Sequence, residues 1–85
     1  MSTYVYRPRG VCSREMRFEL NGDTIEGLTV INGCHGNLQG IAALVKGRKV
    51  SEVIETLEGI KCGPKPTSCP DQIAQGLKAW QKEQR

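Results

Sequence analysis

Four cysteines, Cys12, Cys34, Cys62 and Cys69, are the residues of this 85-residue chain best suited to do chemistry. Each falls at a break between a regular stretch and a turn. Four thiols converging from four breaks would make a tetrahedral soft donor set, the kind that holds Zn²⁺ or an iron–sulfur cluster. Cys69 lies in the run Thr67-Ser68-Cys69-Pro70-Asp71, which is built like a helix start. There, free N–H groups and the positive end of the helix dipole favour the thiolate that a metal requires. The spacing is not the paired C-x-x-C of a zinc ribbon, so the placement at turns carries the expectation. His35 follows Cys34 directly and is a candidate to replace one thiol or to hydrogen-bond a ligand from behind; an ordinary surface histidine is the plainer reading. Asp71 is a candidate to orient a ligand, although its place in the first helical turn already accounts for it as a cap. Three alternatives stay open: buried structural thiols, two disulfides in one of three pairings, and a redox relay between Cys62 and Cys69. With one histidine, no nucleophile elbow and no phosphate loop, there is no catalytic constellation.

The elements that must position these thiols follow from the periodicity. Thr3 to Tyr6 reads as a short edge strand closed by Arg7-Pro8-Arg9-Gly10, since proline cannot donate to a ladder. From Ser13 to Leu20 the pattern alternates, with Met16, Phe18 and Leu20 on one face and Glu15, Arg17 and Glu19 on the other. Asn21-Gly22 is a favoured hairpin turn, and the return strand runs from Thr24 to Ile31, with Gly27 a candidate bulge. After the turn Asn32-Gly33-Cys34-His35-Gly36 the period becomes helical. Leu38, Ile41, Ala42 and Val45 share a face, Asn37 is the candidate cap, and Gly40 is expected to permit close packing. A second helix is expected from an N-cap at Ser51, burying Val53, Ile54 and Leu57 and stopping at Gly59. Gly63, Pro64 and Pro66 keep the following loop irregular. Ser68 then caps a last helix whose Ile73, Leu77 and Trp80 face the sheet, with fraying from Lys82 to Arg85. The expected fold class is α+β: a small antiparallel sheet of about three strands with three helices packed on one face, in a single domain spanning residues 1–85.

A chain this short buries only about 60–65% of its unfolded surface, and with one Trp, one Phe and two Tyr its large anchors are few. A metal staple would suit it. No apolar run approaches a membrane span, and Met1 to Tyr4 lacks the apolar stretch of a signal peptide. The expected compartment is the cytoplasm, where thiols stay reduced. Net charge is +3. Arg7, Arg9, Arg14 and Arg17 form one basic group and Lys46, Arg48 and Lys49 a second; either would attract phosphate or an acidic partner. Nucleic-acid binding is disfavoured, because no stacking aromatics are interleaved with these charges. The edge near Tyr4 and Tyr6 is a candidate for pairing across a homodimer.

The run Thr67-Ser68-Cys69-Pro70-Asp71 is the signature of the TSCPD domain family, and the chain resembles the small four-cysteine branch of that family over almost its whole length. Asn32-Gly33-Cys34-His35-Gly36-Asn37 with Gly40-Ile41 fits the same pattern. The resemblance implies a metal-binding domain. The same domain occurs at the C-terminus of some adenosylcobalamin-dependent ribonucleotide reductases, which implies an accessory role in ribonucleotide reduction or nucleotide metabolism, with the reductase or a nucleotide as partner. Eighty-five residues leave no room for the reductase barrel itself, typically ~250 residues. A more distant likeness is to iron–sulfur scaffold proteins of the NifU/IscU type, through Cys12, Gly33-Cys34, Val45-Lys46-Gly47 and Cys69. It implies cluster assembly or transfer with a cysteine desulfurase as partner. Ser68 stands where that family has histidine, and Cys62 has no counterpart there; a closed four-thiol sphere fits a permanent structural metal better than a cluster to be handed on.

Overall fold

Alternation of side chains in residues 13–31 builds the centre of the molecule. The computed structural model describes residues 2–11, 13–31, 35–61 and 63–83. Strand β1 (Ser2–Tyr6) pairs antiparallel with β2 (Glu15–Asn21), which pairs antiparallel with β3 (Thr24–Ile31), in the order β1-β2-β3. Met16, Phe18, Leu20 and Ile25 are buried, while Arg17 and Glu19 on the opposite face are exposed. Asn21-Gly22 makes the hairpin, with Gly22 at φ +63, a conformation that glycine adopts without strain. The bulge falls beside Gly27 rather than on it. Glu19 pairs with Gly27 and Leu20 with Ile25, so Glu26 is the extra residue.

The helices are α1 (His35–Val45), α2 (Val50–Leu57) and α3 (Cys69–Glu83). Two boundaries differ from the sequence expectation. Helix α1 starts at His35, so Asn37 lies inside it and does not cap it; the apolar positions that follow carry Gly36 and Asn37 into the helix. Helix α2 starts at Val50, so Ser51 is a helical residue, exposed, and the N-cap position belongs to Lys49, whose backbone N–H donates to the Glu52 carboxylate at 3.4 Å. Val50 thereby joins Val53 and Ile54 on the buried face. The α1–α2 turn is tied to the hairpin end of the sheet. Gly47 N–H donates to Ile25 O at 2.7 Å, Ile25 N–H to Arg48 O at 2.9 Å and Val50 N–H to Asp23 O at 2.7 Å.

Met16, Phe18, Leu20 and Ile25 from the sheet meet Val45, Val50, Val53, Ile54, Ile73 and Leu77 from the helices in one core, with Tyr4, Tyr6 and Trp80 packed at its margin. The fold is thus α+β, with the helices' apolar residues gathered on one sheet face and Val5, Arg17 and Thr29 exposed on the other. Among the described residues no helix is long and apolar enough to cross a membrane.

Two glycines with the same helical propensity sit in opposite surroundings. A Cβ at Gly76 would come within 2.9 Å of the Tyr6 ring and 3.1 Å of Phe18 Cε2. Glycine is what lets α3 approach the sheet this closely. At Gly40 nothing among the described residues lies within 4 Å of a Cβ and the residue is exposed, so it weakens α1 without serving close packing against them, contrary to the sequence expectation. In urea unfolding, Gly76→Val is expected to lose about 1–3 kcal/mol through overpacking, whereas Gly40→Ala is expected to gain about 0.5–1 kcal/mol from helix propensity.

Candidate functional site

The register places three chain ends together. Tyr6 ends β1 opposite Met16, and Glu15 begins β2 opposite Ile31, the last residue of β3. Because α1 runs from this end toward the hairpin and α2 returns, the α2–α3 connection and the start of α3 lie at the same end. Hydrogen bonds join these segments in a chain. Arg14 N–H donates to Ile31 O at 2.8 Å. Its neighbour Ser13, 4% exposed, sets its hydroxyl 3.3 Å from Cys69 Sγ. Ser68, the residue before Cys69, donates its hydroxyl to Ile60 O at 2.6 Å. The backbone at Gly10, φ +73, lies against Thr67, whose Cγ2 would be 3.1 Å from a Cβ there.

Of the thiols named from the sequence, Cys69 is described: a free, partly buried thiol at the first residue of α3. Cys12, Cys34 and Cys62 lie outside the described residues, as does the side chain of His35. Among the described residues, no three His, Cys, Asp or Glu side chains form a group that could hold a metal ion.

The first turn of α3 forms as its residue types dictate. Ser68 is the N-cap, its Oγ accepting from the Asp71 N–H at 3.2 Å. Pro70 follows Cys69 in the first turn, where the missing N–H leaves no intrahelical bond unmade. Asp71 does more than complement the helix dipole. One carboxylate oxygen accepts from the Gly59 backbone N–H at 2.8 Å and from the Gln75 amide at 3.3 Å, and the other accepts from the Thr67 hydroxyl. Burial pushes the Asp71 carboxyl up, but the hydrogen bonds from Thr67, Gly59 and Gln75, with the Lys78 charge nearby, outweigh it and hold the group below its ordinary value. Asp71 is therefore a clamp between α3 and the end of α2, and no ligand is needed to explain it.

Gln72 was not singled out by sequence reasoning. Its Oε1 accepts from the Arg9 backbone N–H at 3.1 Å and the Tyr6 hydroxyl at 3.2 Å, while its Nε2 donates to Thr67 Oγ1 at 2.9 Å. The readable signal was a polar residue directly before Ile73 on the helix stripe that faces the sheet. Asp71 ties down the segment leading toward Cys62, and Gln72 ties down the segment leading toward Cys12. No buried side-chain nitrogen or oxygen among the described residues is left without a partner.

The comparisons with known proteins bear on this arrangement. No curated protein and no solved structure matches the chain. The family model for the TSCPD domain matches residues 2–81, which span all three strands and all three helices up to the last turn of α3. The matched stretch includes the capped turn at 67–71 with its clamp onto Gly59, and the chain belongs to the TSCPD domain family.

Proposed function

We propose that this TSCPD domain is a metal-binding module in which Cys12, Cys34, Cys62 and Cys69 hold one Zn²⁺ at the start of α3. The observation that carries the reading is the hydrogen-bonded path Ile31–Arg14–Ser13–Cys69–Ser68–Ile60. At one end of the sheet it joins described segments: Ser13, which follows Cys12 in sequence, Ile31 and Ile60, which precede Cys34 and Cys62, and Cys69 itself. The donor chemistry agrees: four thiolates suit Zn²⁺, and Cys69 presents its sulfur where the helix dipole favours negative charge. Bound there, the ion would supply folding free energy, with apparent values of about 10–16 kcal/mol in small zinc peptides. The chain's own residues then have distinct tasks. Ser13 supports the Cys69 sulfur, Ser68 holds the helix start against Ile60, and Asp71 and Gln72 fix the flanking segments before any ion arrives. The family resemblance supports an accessory role beside adenosylcobalamin-dependent ribonucleotide reduction.

Single Cys→Ser variants at 12, 34, 62 and 69 test the ligand set. Each is expected to lower zinc retention under chelator competition by tenfold or more relative to the parent protein. Retention at the parent level in any one variant would remove that cysteine from the set, and retention in all four would end the proposal.

A further inference from the structure

We infer that the helix-free face of the sheet carries an anion site, formed by Arg7 and Arg14 beside the Arg17–Glu15 pair, that takes the phosphate group of a small phosphorylated molecule. A cavity of about 410 Å³ is lined by Arg7, Arg14, Glu15, Arg17 and Ile31. These residues come from three segments: the end of β1, the start of β2 and the end of β3. The Glu15–Ile31 register and the Arg14 N–H to Ile31 O bond hold the segments in place. Arg9, the fourth arginine of the same sequence cluster, is not part of the lining. Its backbone N–H is held by Gln72 Oε1 at 3.1 Å.

The charges in this cavity do not cancel. Glu15 is spent on Arg17, with Nε 2.6 Å from Oε2. Among the described residues Arg7 and Arg14 have no carboxylate partner, which leaves two unpaired arginines lining one concave space. Guanidinium groups bind phosphate oxygens bidentately and with geometric specificity. Ile31 gives the cavity an apolar wall that an organic substituent would contact. A nucleic-acid strand fits less well, because the lining holds no aromatic side chain on which a base would stack. Tyr4 and Tyr6 belong to the core side of the sheet.

The site is independent of the metal reading, since its residues are not thiols and its ligand is read directly. Phenyl phosphate and inorganic phosphate are titrated into the full chain at constant ionic strength set with KCl, with backbone amide shifts as readout. Saturable shifts at residues 7, 14, 15, 17 and 31 are expected with both probes, with phenyl phosphate the tighter. Arg7→Gln with Arg14→Gln is expected to weaken binding about tenfold or more while thermal unfolding stays unchanged. Glu15→Gln, which frees Arg17, is expected to tighten it severalfold. Neutralising Lys46, Arg48 and Lys49 together is expected to leave it unaltered. Non-saturating shifts, an equal loss in the Lys46/Arg48/Lys49 variant, or oligothymidylate binding tighter than either phosphate probe would each overturn the inference.

Discussion

Cutting Phe18 back to alanine is expected to cost about 3–5 kcal/mol, the largest loss any single core truncation here should produce. Phe18 is the chain's one phenylalanine and is fully buried. It stands at the middle of β2, opposite Tyr4 on β1 and Leu28 on β3, and its ring edge lies under Gly76 of α3. Removing it leaves a cavity bounded by all three strands and by the helix that carries Cys69. A domain of this size has roughly 5–10 kcal/mol of stability in total, so the variant should unfold at a much lower urea concentration, with an unchanged slope if folding remains two-state. Leu44 is also a large apolar residue but is 68% exposed, and Leu44→Ala is expected to shift the midpoint little.

The second large effect is expected at Asp71. Asp71→Ala would take the acceptor from the Gly59 N–H, at an exposed residue, and from the half-buried Thr67 hydroxyl and Gln75 amide. Stranding buried donors costs about 1–3 kcal/mol each where water cannot replace the partner. A total of about 2–4 kcal/mol in chemical unfolding is expected, since some of these donors will find water. Asp71→Asn retains a carbonyl oxygen that can accept from Gly59 and should lose roughly half as much. The carboxyl is held below its ordinary value in the folded chain, so its stabilising contribution is present at neutral pH. It fades as acid carries the pH down through and below the usual carboxylate range. Hydrogen exchange at the Gly59 amide reports the clamp directly: protection should fall sharply in Asp71→Ala and only modestly in Asp71→Asn.

Much of this fold could be read from the chain because its signals are local. The alternation of Met16, Phe18 and Leu20, the Asn21-Gly22 turn and the Ser68 cap each act within a few residues, and each appears where expected. What escaped was long-range. Gln72 reaches back more than sixty positions to Arg9 and Tyr6; its place beside Ile73 marks a polar residue close to the core but does not name those partners. Gly76 reads as a helix-weakening residue until the Tyr6 and Phe18 rings are seen against it. Ser51 is a good cap by type, yet α2 starts at Val50. The bonds of Val50 to Asp23 and of Ile25 to Arg48 set the boundary instead. At the site, the expectation for Asp71 as a first-turn residue was right but incomplete. Its main partners, Gly59 and Thr67, precede the helix and are fixed by the tertiary fold.

The arginine cluster teaches the same lesson. Four basic residues near the N-terminus look alike in the sequence, yet the pairing of β2 with β1 and β3 gathers Arg7, Arg14 and Arg17 around one cavity whose lining does not include Arg9. Charge counting alone could not have separated them.

The most direct test of the central claim is the metal content of untagged protein purified without oxygen, determined by elemental analysis beside its visible spectrum. The account predicts close to one zinc per chain, no visible absorption, and four thiols that react only after a chelator is added. Metal near zero with all four thiols freely titratable would contradict it, and stoichiometric iron with a coloured spectrum would replace zinc by a cluster.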